Sequence, residues 1–295
     1  MGVVFGQHRP GRGVSAVENP QLPGLGMASG TLAELRERAG GQAGLHAPQR
    51  IDFHLIALVT AGSGTHTVDF VAHECRPGTL LWVRPGQVQQ FTRDAELEAC
   101  LVFFAPAFPP RLRAADYLLT RRGGPVRWQL AGPDLAAITA NLELLAADYA
   151  RTDTGDYTAW TELLRHLLAT LLLRIAQLPR PSESERNGNN PTFAQFQREL
   201  ERFFAQTRQV EDYADRLGCS SKTLTRACRS ATGQAAKQLI DARVALEAKR
   251  LLAYTNLPVA NISRRLGFSE PTNFGKFFQR ETGQSPSTFR SGLLR

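Results

Sequence analysis

The chain has 295 residues, 42% of them hydrophobic and 21% charged, and a formal net charge of +8. That length suffices for about two domains that each bury a core, and the composition excludes the collagenous, low-complexity and disulfide-scaffold classes. No apolar run approaches the roughly 20 residues that cross a bilayer, so no membrane partner is expected.

Residues 1–23 mix Gly, Pro, Arg and His without the apolar core of a secretory signal, which points to the cytoplasm. Residues 1–48 read as a poorly defined lead-in, apart from a short helix expected over residues 31–39. From Asp52 the text changes to short β-prone runs, residues 54–59, 65–71, 80–83, 88–91 and 97–104, divided by turns such as Pro77-Gly78 and Pro85-Gly86. Runs of that length and spacing predict a small antiparallel barrel or sandwich. After Pro110 the period becomes helical. Leu135, Ile138, Leu142 and Leu145 recur at spacings of three and four, and residues 163–175 form a wider leucine face. That face either packs on the barrel or makes a homodimer contact. Residues 179–191 hold no aliphatic or aromatic side chain and carry Pro at both ends, which marks a linker between a first domain, 49–178, and a second, 192–295. Cys75, Cys100, Cys219 and Cys228 lack the spacing of a zinc site or a disulfide framework.

Charge is distributed unevenly. Residues 1–190 carry 18 Lys+Arg against 18 Asp+Glu, and residues 191–295 carry 17 against 9. The excess sits where the chain repeats itself. Leu217-Gly218-Cys219-Ser220, followed by Leu224, Arg226, Thr232 and Gly233, returns as Leu266-Gly267-Phe268-Ser269, followed by Phe274, Lys276, Thr282 and Gly283. The offset is 49 residues before the turn and 50 after it. Each copy reads as helix, Gly turn, helix, the pattern that sets a row of side chains into a DNA major groove. A basic segment on such a pattern is the electrostatic footprint of a polyanion.

In the first copy Ser220 is expected to cap the second helix, Leu224 and Cys228 to face the core, and Ser221, Lys222, Thr225, Arg226 and Arg229 to face outward. In the second, Ser269 is expected to cap, Pro271 to stand near the first helical position, and Thr272, Asn273 and Lys276 to face outward with Gln279 or Arg280. These side-chain types read base edges and phosphates. Residues 237–253 read as a joining helix of about 25 Å. That length would bring the two reading helices to about 34 Å apart, one DNA turn.

Residues 195–295 resemble the DNA-binding domain of the AraC/XylS family of transcription regulators. The text that carries the likeness is Leu266-Gly267-Phe268-Ser269, Asn273-Phe274, Phe277-Phe278, Thr282-Gly283, Ser285-Pro286 and Phe289-Arg290, with Arg243, Ala248 and Leu251-Leu252 fitting the family's linking helix. Two positions depart from it, Ser263 where the family commonly has Ala and Cys228 where it commonly has Phe. The resemblance implies binding to double-stranded promoter DNA and activation through RNA polymerase.

The turns Gly62-Ser63-Gly64, Arg76-Pro77-Gly78 and Arg84-Pro85-Gly86 resemble those of the cupin-like effector domain that precedes this module. The fold class expected is therefore α+β: a cupin-like antiparallel β-barrel with packed helices, then an all-α domain of two helix-turn-helix units on a linking helix. The first domain would bind a small-molecule effector and dimerise. A metal-dependent cupin would need a ligand set that His66 and Gln89 do not supply, so neither metal, cofactor nor enzymatic turnover is expected. Phe53, Trp82, Arg84, Gln89 and Phe91 are candidate lining residues, of which strand alternation lets only about half face inward. Two alternatives remain, a non-specific architectural DNA-binding protein and a cupin enzyme with an appended helical domain.

Overall fold

Strand alternation builds the N-terminal half. In the computed structural model, which describes residues 25–38, 48–91, 97–115, 119, 124–151, 157–179 and 191–292, the strands are β1 (Met27–Thr31), β2 (Gln49–Arg50), β3 (His54–Ala61), β4 (Gly64–Val68), β5 (Val71–Cys75), β6 (Thr79–Val83), β7 (Val88–Phe91), β8 (Glu98–Phe104) and β9 (Arg127–Gln129). They form two antiparallel sheets, one in the order β1-β8-β3-β6-β9 and the other β2-β7-β4-β5. Leu55, Ala57, Leu81, Val83, Leu101 and Phe103 of the larger sheet cluster with Val68, Cys75 and Phe91 of the smaller one. The alternate residues Ile56, Leu58, Leu80, Trp82, Val102 and Phe104 turn the other way. They pack under α2 (Gly132–Tyr149) and α3 (Tyr157–Gln177) through Ile138, Leu142, Leu145, Leu164, Leu168, Leu171 and Leu172. Most of the wide leucine face is thus used inside the unit, while Leu144 and Leu163 stay 51% and 40% exposed.

Three local outcomes differ from the sequence reading. Residues 27–38 fall in the expected lead-in, yet β1 pairs along β8 and buries Met27 and Ala28, and α1 (Leu32–Arg38) closes over the core with Leu32 and Leu35. A reciprocal cap starts α1, the Glu34 N–H donating to Thr31 Oγ1 (3.2 Å) and the Thr31 N–H to Glu34 Oε2 (2.9 Å). The run expected over residues 65–71 is broken at Asp69 and Phe70, whose φ values of 50° and 68° make a two-residue hairpin turn between β4 and β5. The third is β9, a short strand on the edge of the larger sheet that carried no sequence signal. Of the linker expected over residues 179–191, residues 180–190 lie outside the described residues.

The chain divides into two compact units, Met1–Pro179 and Arg180–Arg295. The second is helical: α4 (Pro191–Phe203), α5 (Val210–Arg216), α6 (Ser221–Thr232), α7 (Ala236–Tyr254), α8 (Val259–Arg265), α9 (Pro271–Thr282) and α10 (Pro286–Gly292). Helix α7 is the expected joining helix, one residue longer at each end. It is buried through Ile240, Val244, Ala248, Leu251 and Leu252. Its polar positions are spent internally. Arg243 forms a two-pronged pair with Glu201 of α4 (2.8 and 3.1 Å) and also reaches Glu247 (3.2 Å), which accepts from buried Arg250 as well (3.3 Å).

Candidate nucleic-acid interface

The first helix-turn-helix is α5 and α6. Leu217 ends α5 and Gly218 follows with φ 62°, a left-handed turn that glycine adopts without strain. Ser220 then caps α6 as expected, its Oγ accepting from the Thr223 N–H at 3.1 Å. Leu224, Cys228 and Ala231 are buried against Phe193, Phe196, Leu200, Tyr213 and Ala214, and Ala227 is buried as well. Burial of Cys228, with Cys219 close by, pushes its thiol up to about 12, so it packs as a small hydrophobe. On the opposite side Lys222, Arg226 and Arg229 are exposed, and Ser221 and Thr225 are half-buried beside them. These five share one face, because spacings of three, four and seven bring residues round to the same side of a helix.

The second unit, α8 and α9, repeats this with one change. Gly267 makes the same left-handed turn at φ 73°, but α9 begins at Pro271 and its N-cap is Glu270, whose side chain makes no capping bond. Ser269 is therefore not the cap. The extra residue that shifts the repeat offset from 49 to 50 lies in this turn, so Glu270 occupies the place of Ser220. Phe268, Phe274, Phe277, Phe278 and Phe289 form an aromatic chain with centroid separations of 5.1 to 5.9 Å, mostly edge-on or tilted. Thr272, Asn273, Lys276, Gln279 and Arg280 are exposed. Arg280 is drawn to Asp241 of α7 (3.2 Å) and to Glu281 (2.8 Å), which leaves Gln279 in the position equivalent to Arg229.

The cations of this unit thus fall into two groups. Arg208, Arg243, Arg250 and Arg280 are tied to carboxylates or carbonyls. Lys222, Arg226 and Arg229 make no ion pair among the described residues, and α6 itself contains no acidic side chain. Unneutralised cations in a row on an exposed helix face present a potential suited to phosphate. The equivalent row on α9 is Thr272, Lys276 and Gln279, with one formal charge in place of three.

In the N-terminal unit the space between the sheets is apolar apart from a few groups. His66 is 2% exposed, lies edge-on to Phe91 at 4.3 Å, and has no hydrogen-bond partner on either ring nitrogen among the described residues. Burial, with a contribution from His73, lowers it to about 3, so the ring is neutral. Gln89, on the same face of β7 as Phe91, donates weakly to Gln49 (3.5 Å) while its Oε1 is buried without a partner among the described residues. Phe53 and Phe91 face this space as well. Trp82 and Arg84 do not. Trp82 lies under the helices, where its Nε1–H donates to His54 Nδ1 (3.1 Å), and Arg84 is buried over the Trp82 ring at 4.7 Å with Nη1 donating to Pro125 O (2.9 Å). No group of three or more His, Cys, Asp or Glu that could hold a metal occurs among the described residues.

Family models agree with both halves. A model described as an AraC-like ligand binding domain matches residues 31–169, and a helix-turn-helix domain model matches residues 213–292. The chain belongs to the AraC family. Two relatives named HTH-type transcriptional activator RhaS align over 247 residues, 82% of this chain and 86% of theirs: that of Enterobacter sp. (strain 638) is 25% identical, and that of Escherichia coli O127:H6 is 26% identical. Among solved structures, ToxT from Vibrio cholerae O395 is similar over 91% of this chain and 98% of its own (TM-score 0.45, 10% identity). The DNA-binding domain of AdpA, solved with a target DNA, is similar over 35% of this chain and 93% of its own (TM-score 0.32, 32% identity). This AraC-family chain thus joins a ligand-binding half to a DNA-binding half, and none of its described helices is long and apolar enough to cross a membrane.

Proposed function

We propose that this chain is a ligand-responsive transcription activator that sets α6 and α9 into successive major grooves of promoter DNA. The observation that carries this reading is the row Lys222, Arg226 and Arg229, exposed and without ion pairs among the described residues, on a helix whose other side is packed into the core. Ser221 and Thr225 on α6, and Thr272, Asn273 and Lys276 on α9, complete the contact set. Because α9 carries less charge, α6 would contribute more phosphate affinity and α9 relatively more base readout. Activation would proceed by contact with RNA polymerase, in the cytoplasm, as a binding protein without turnover. The activator names of the relatives support that sense of regulation.

We place the effector between the two sheets, beside His66 and Gln89. A buried polar atom without a partner costs about 1–3 kcal/mol, and a ligand that bonds to it removes the cost. A ligand favouring one arrangement of the chain would shift the equilibrium between them. Two copies would pair through Leu163, where the leucine face stays exposed, together with the exposed Leu144 of α2, and sedimentation equilibrium tests whether they pair.

Selection of bound genomic fragments by the purified full-length protein, at two salt concentrations, tests the DNA reading. Enrichment of a motif with two boxes about one helical turn apart is expected. Uniform, salt-labile capture without a motif would sink it in favour of non-specific binding. On the enriched site, Arg226→Ala should cost about 1–3 kcal/mol if Arg226 pairs with a guanine. Unchanged affinity would remove Arg226 from the contact set.

A further inference from the structure

The two helix-turn-helix units touch at a second place besides α7. Arg208 lies in the segment between α4 and α5, in the first unit, and its Nη1 donates to Leu266 O (3.1 Å) and Gly267 O (3.2 Å) at the end of α8, in the second. Its guanidinium also lies 3.7 Å from the centroid of the Phe268 ring. On the same seam, a Cβ placed on Gly267 would fall 2.5 Å from the backbone oxygen of Ala205. Gly218 is its counterpart in the first unit, at a similar φ, and a Cβ there meets nothing within 4 Å. Equivalent glycines therefore stand in unlike surroundings: one only makes a turn, and the other also admits the backbone of the neighbouring unit.

A single joining helix restrains the distance between two units but leaves bending and twisting about its ends. A second contact away from that helix removes much of this freedom, because two separated points of attachment resist rotation. We infer that the Arg208–Gly267 seam determines which spacing between the two half-boxes of the operator this chain accepts, with Arg208 as a positioning residue that acts through the second unit. The inference rests on the reading that both helices engage DNA together. Charged, two-acceptor bonding from a guanidinium that also stacks on Phe268 suits a rigid joint, which a lysine could reproduce only in part.

The test is a binding competition on two-box DNA in which the spacer is varied in single base-pair steps, with single-box DNA alongside. The wild-type full-length protein should prefer one spacing. Arg208→Ala should narrow the discrimination between that spacing and its one-base-pair neighbours by about tenfold, with single-box affinity unchanged. Arg208→Lys should fall between the two. Gly267→Ala should also flatten the profile, whereas Gly218→Ala, which carries the same backbone strain away from the seam, should keep it. An Arg208→Ala profile parallel to that of the wild type overturns the inference, as does an equal loss on single-box DNA. A wild-type protein indifferent to spacing overturns the two-groove reading itself, and the inference with it. Thermal melting separates a misfolded Gly267→Ala from a folded variant with altered spacing, and Arg208→Ala, which introduces no clash, then decides alone.

Discussion

Single side chains show where function and stability conflict. Ser263 is fully buried and its Oγ has no hydrogen-bond partner among the described residues. Ser263→Ala should therefore raise the stability of the helical unit by about 1 kcal/mol, read as a higher midpoint in urea. A lower midpoint would mean that the hydroxyl does have a partner. His66 is in a comparable position, but between the sheets, where we place the effector. His66→Leu should stabilise the N-terminal unit by about 1–2 kcal/mol and abolish effector-dependent activation in a reporter assay. Retained activation would free His66 from that role. The two buried imidazoles also set a pH dependence. Both His54 and His66 are lowered to about 3, chiefly by burial, with an added contribution from Arg84 for His54. Unfolded, each would take up a proton below about 6.5. Their contribution to stability is therefore complete above pH 6.5 and is lost as pH falls from there towards 3, by about 1.4 kcal/mol per pH unit for each ring. Melting temperatures between pH 7 and 4.5 would show it, with a shallower slope in His66→Leu.

At the scale of elements, turns decide most of what differs from the sequence reading. The β4–β5 hairpin turns at Asp69 and Phe70 without a glycine, although both residues have positive φ. Bonds to the start of β7 offset that strain. Asp69 Oδ1 accepts from the Val88 N–H (3.0 Å), Oδ2 accepts from Gln87 Nε2 (2.8 Å), and the Asp69 N–H donates to Val88 O (2.7 Å). Asp69→Ala should cost the N-terminal unit about 2 kcal/mol in urea denaturation, and Asp69→Asn distinctly less, since Asn tolerates left-handed backbone and keeps an acceptor. Nothing in the residue string marks this turn, because the donors that hold the Asp69 carboxylate lie 18 and 19 residues away. By contrast, Gly218 and Gly267 announce theirs, and the two helix-turn-helix units were legible element by element. The shifted cap at Glu270 was legible too, in the change of offset from 49 to 50, although the serine pattern pointed to Ser269.

For the whole molecule, charge and fold divide the work. The formal excess of +8 lies entirely in residues 191–295, and part of that unit's basic set is consumed in holding α4, α7, α8 and α9 together. What remains on α6 should govern the salt dependence of DNA binding. Lys222→Ala should weaken binding about equally on different sequences and reduce the slope of log K against log salt by about 1. A slope equal to that of the wild type would remove Lys222 from phosphate contact. The expected α+β division, the β-rich first half, the repeated helical units and the joining helix could all be read from periodicity and turn residues, because those signals arise between residues close in the chain. Which residues meet across the fold could not. Trp82 and Phe91 both read as barrel-lining aromatics, and only sheet pairing turned one under the helices and the other between the sheets. The place of β1 against β8, the burial of His66 and Gln89 between the sheets, and the meeting of Arg208 with Gly267 likewise depend on segments about 20 to 75 residues apart in sequence. Local propensity encodes the elements. Which surfaces they share is settled by burial and hydrogen bonding summed over the whole chain, and that sum exists only once the chain has folded.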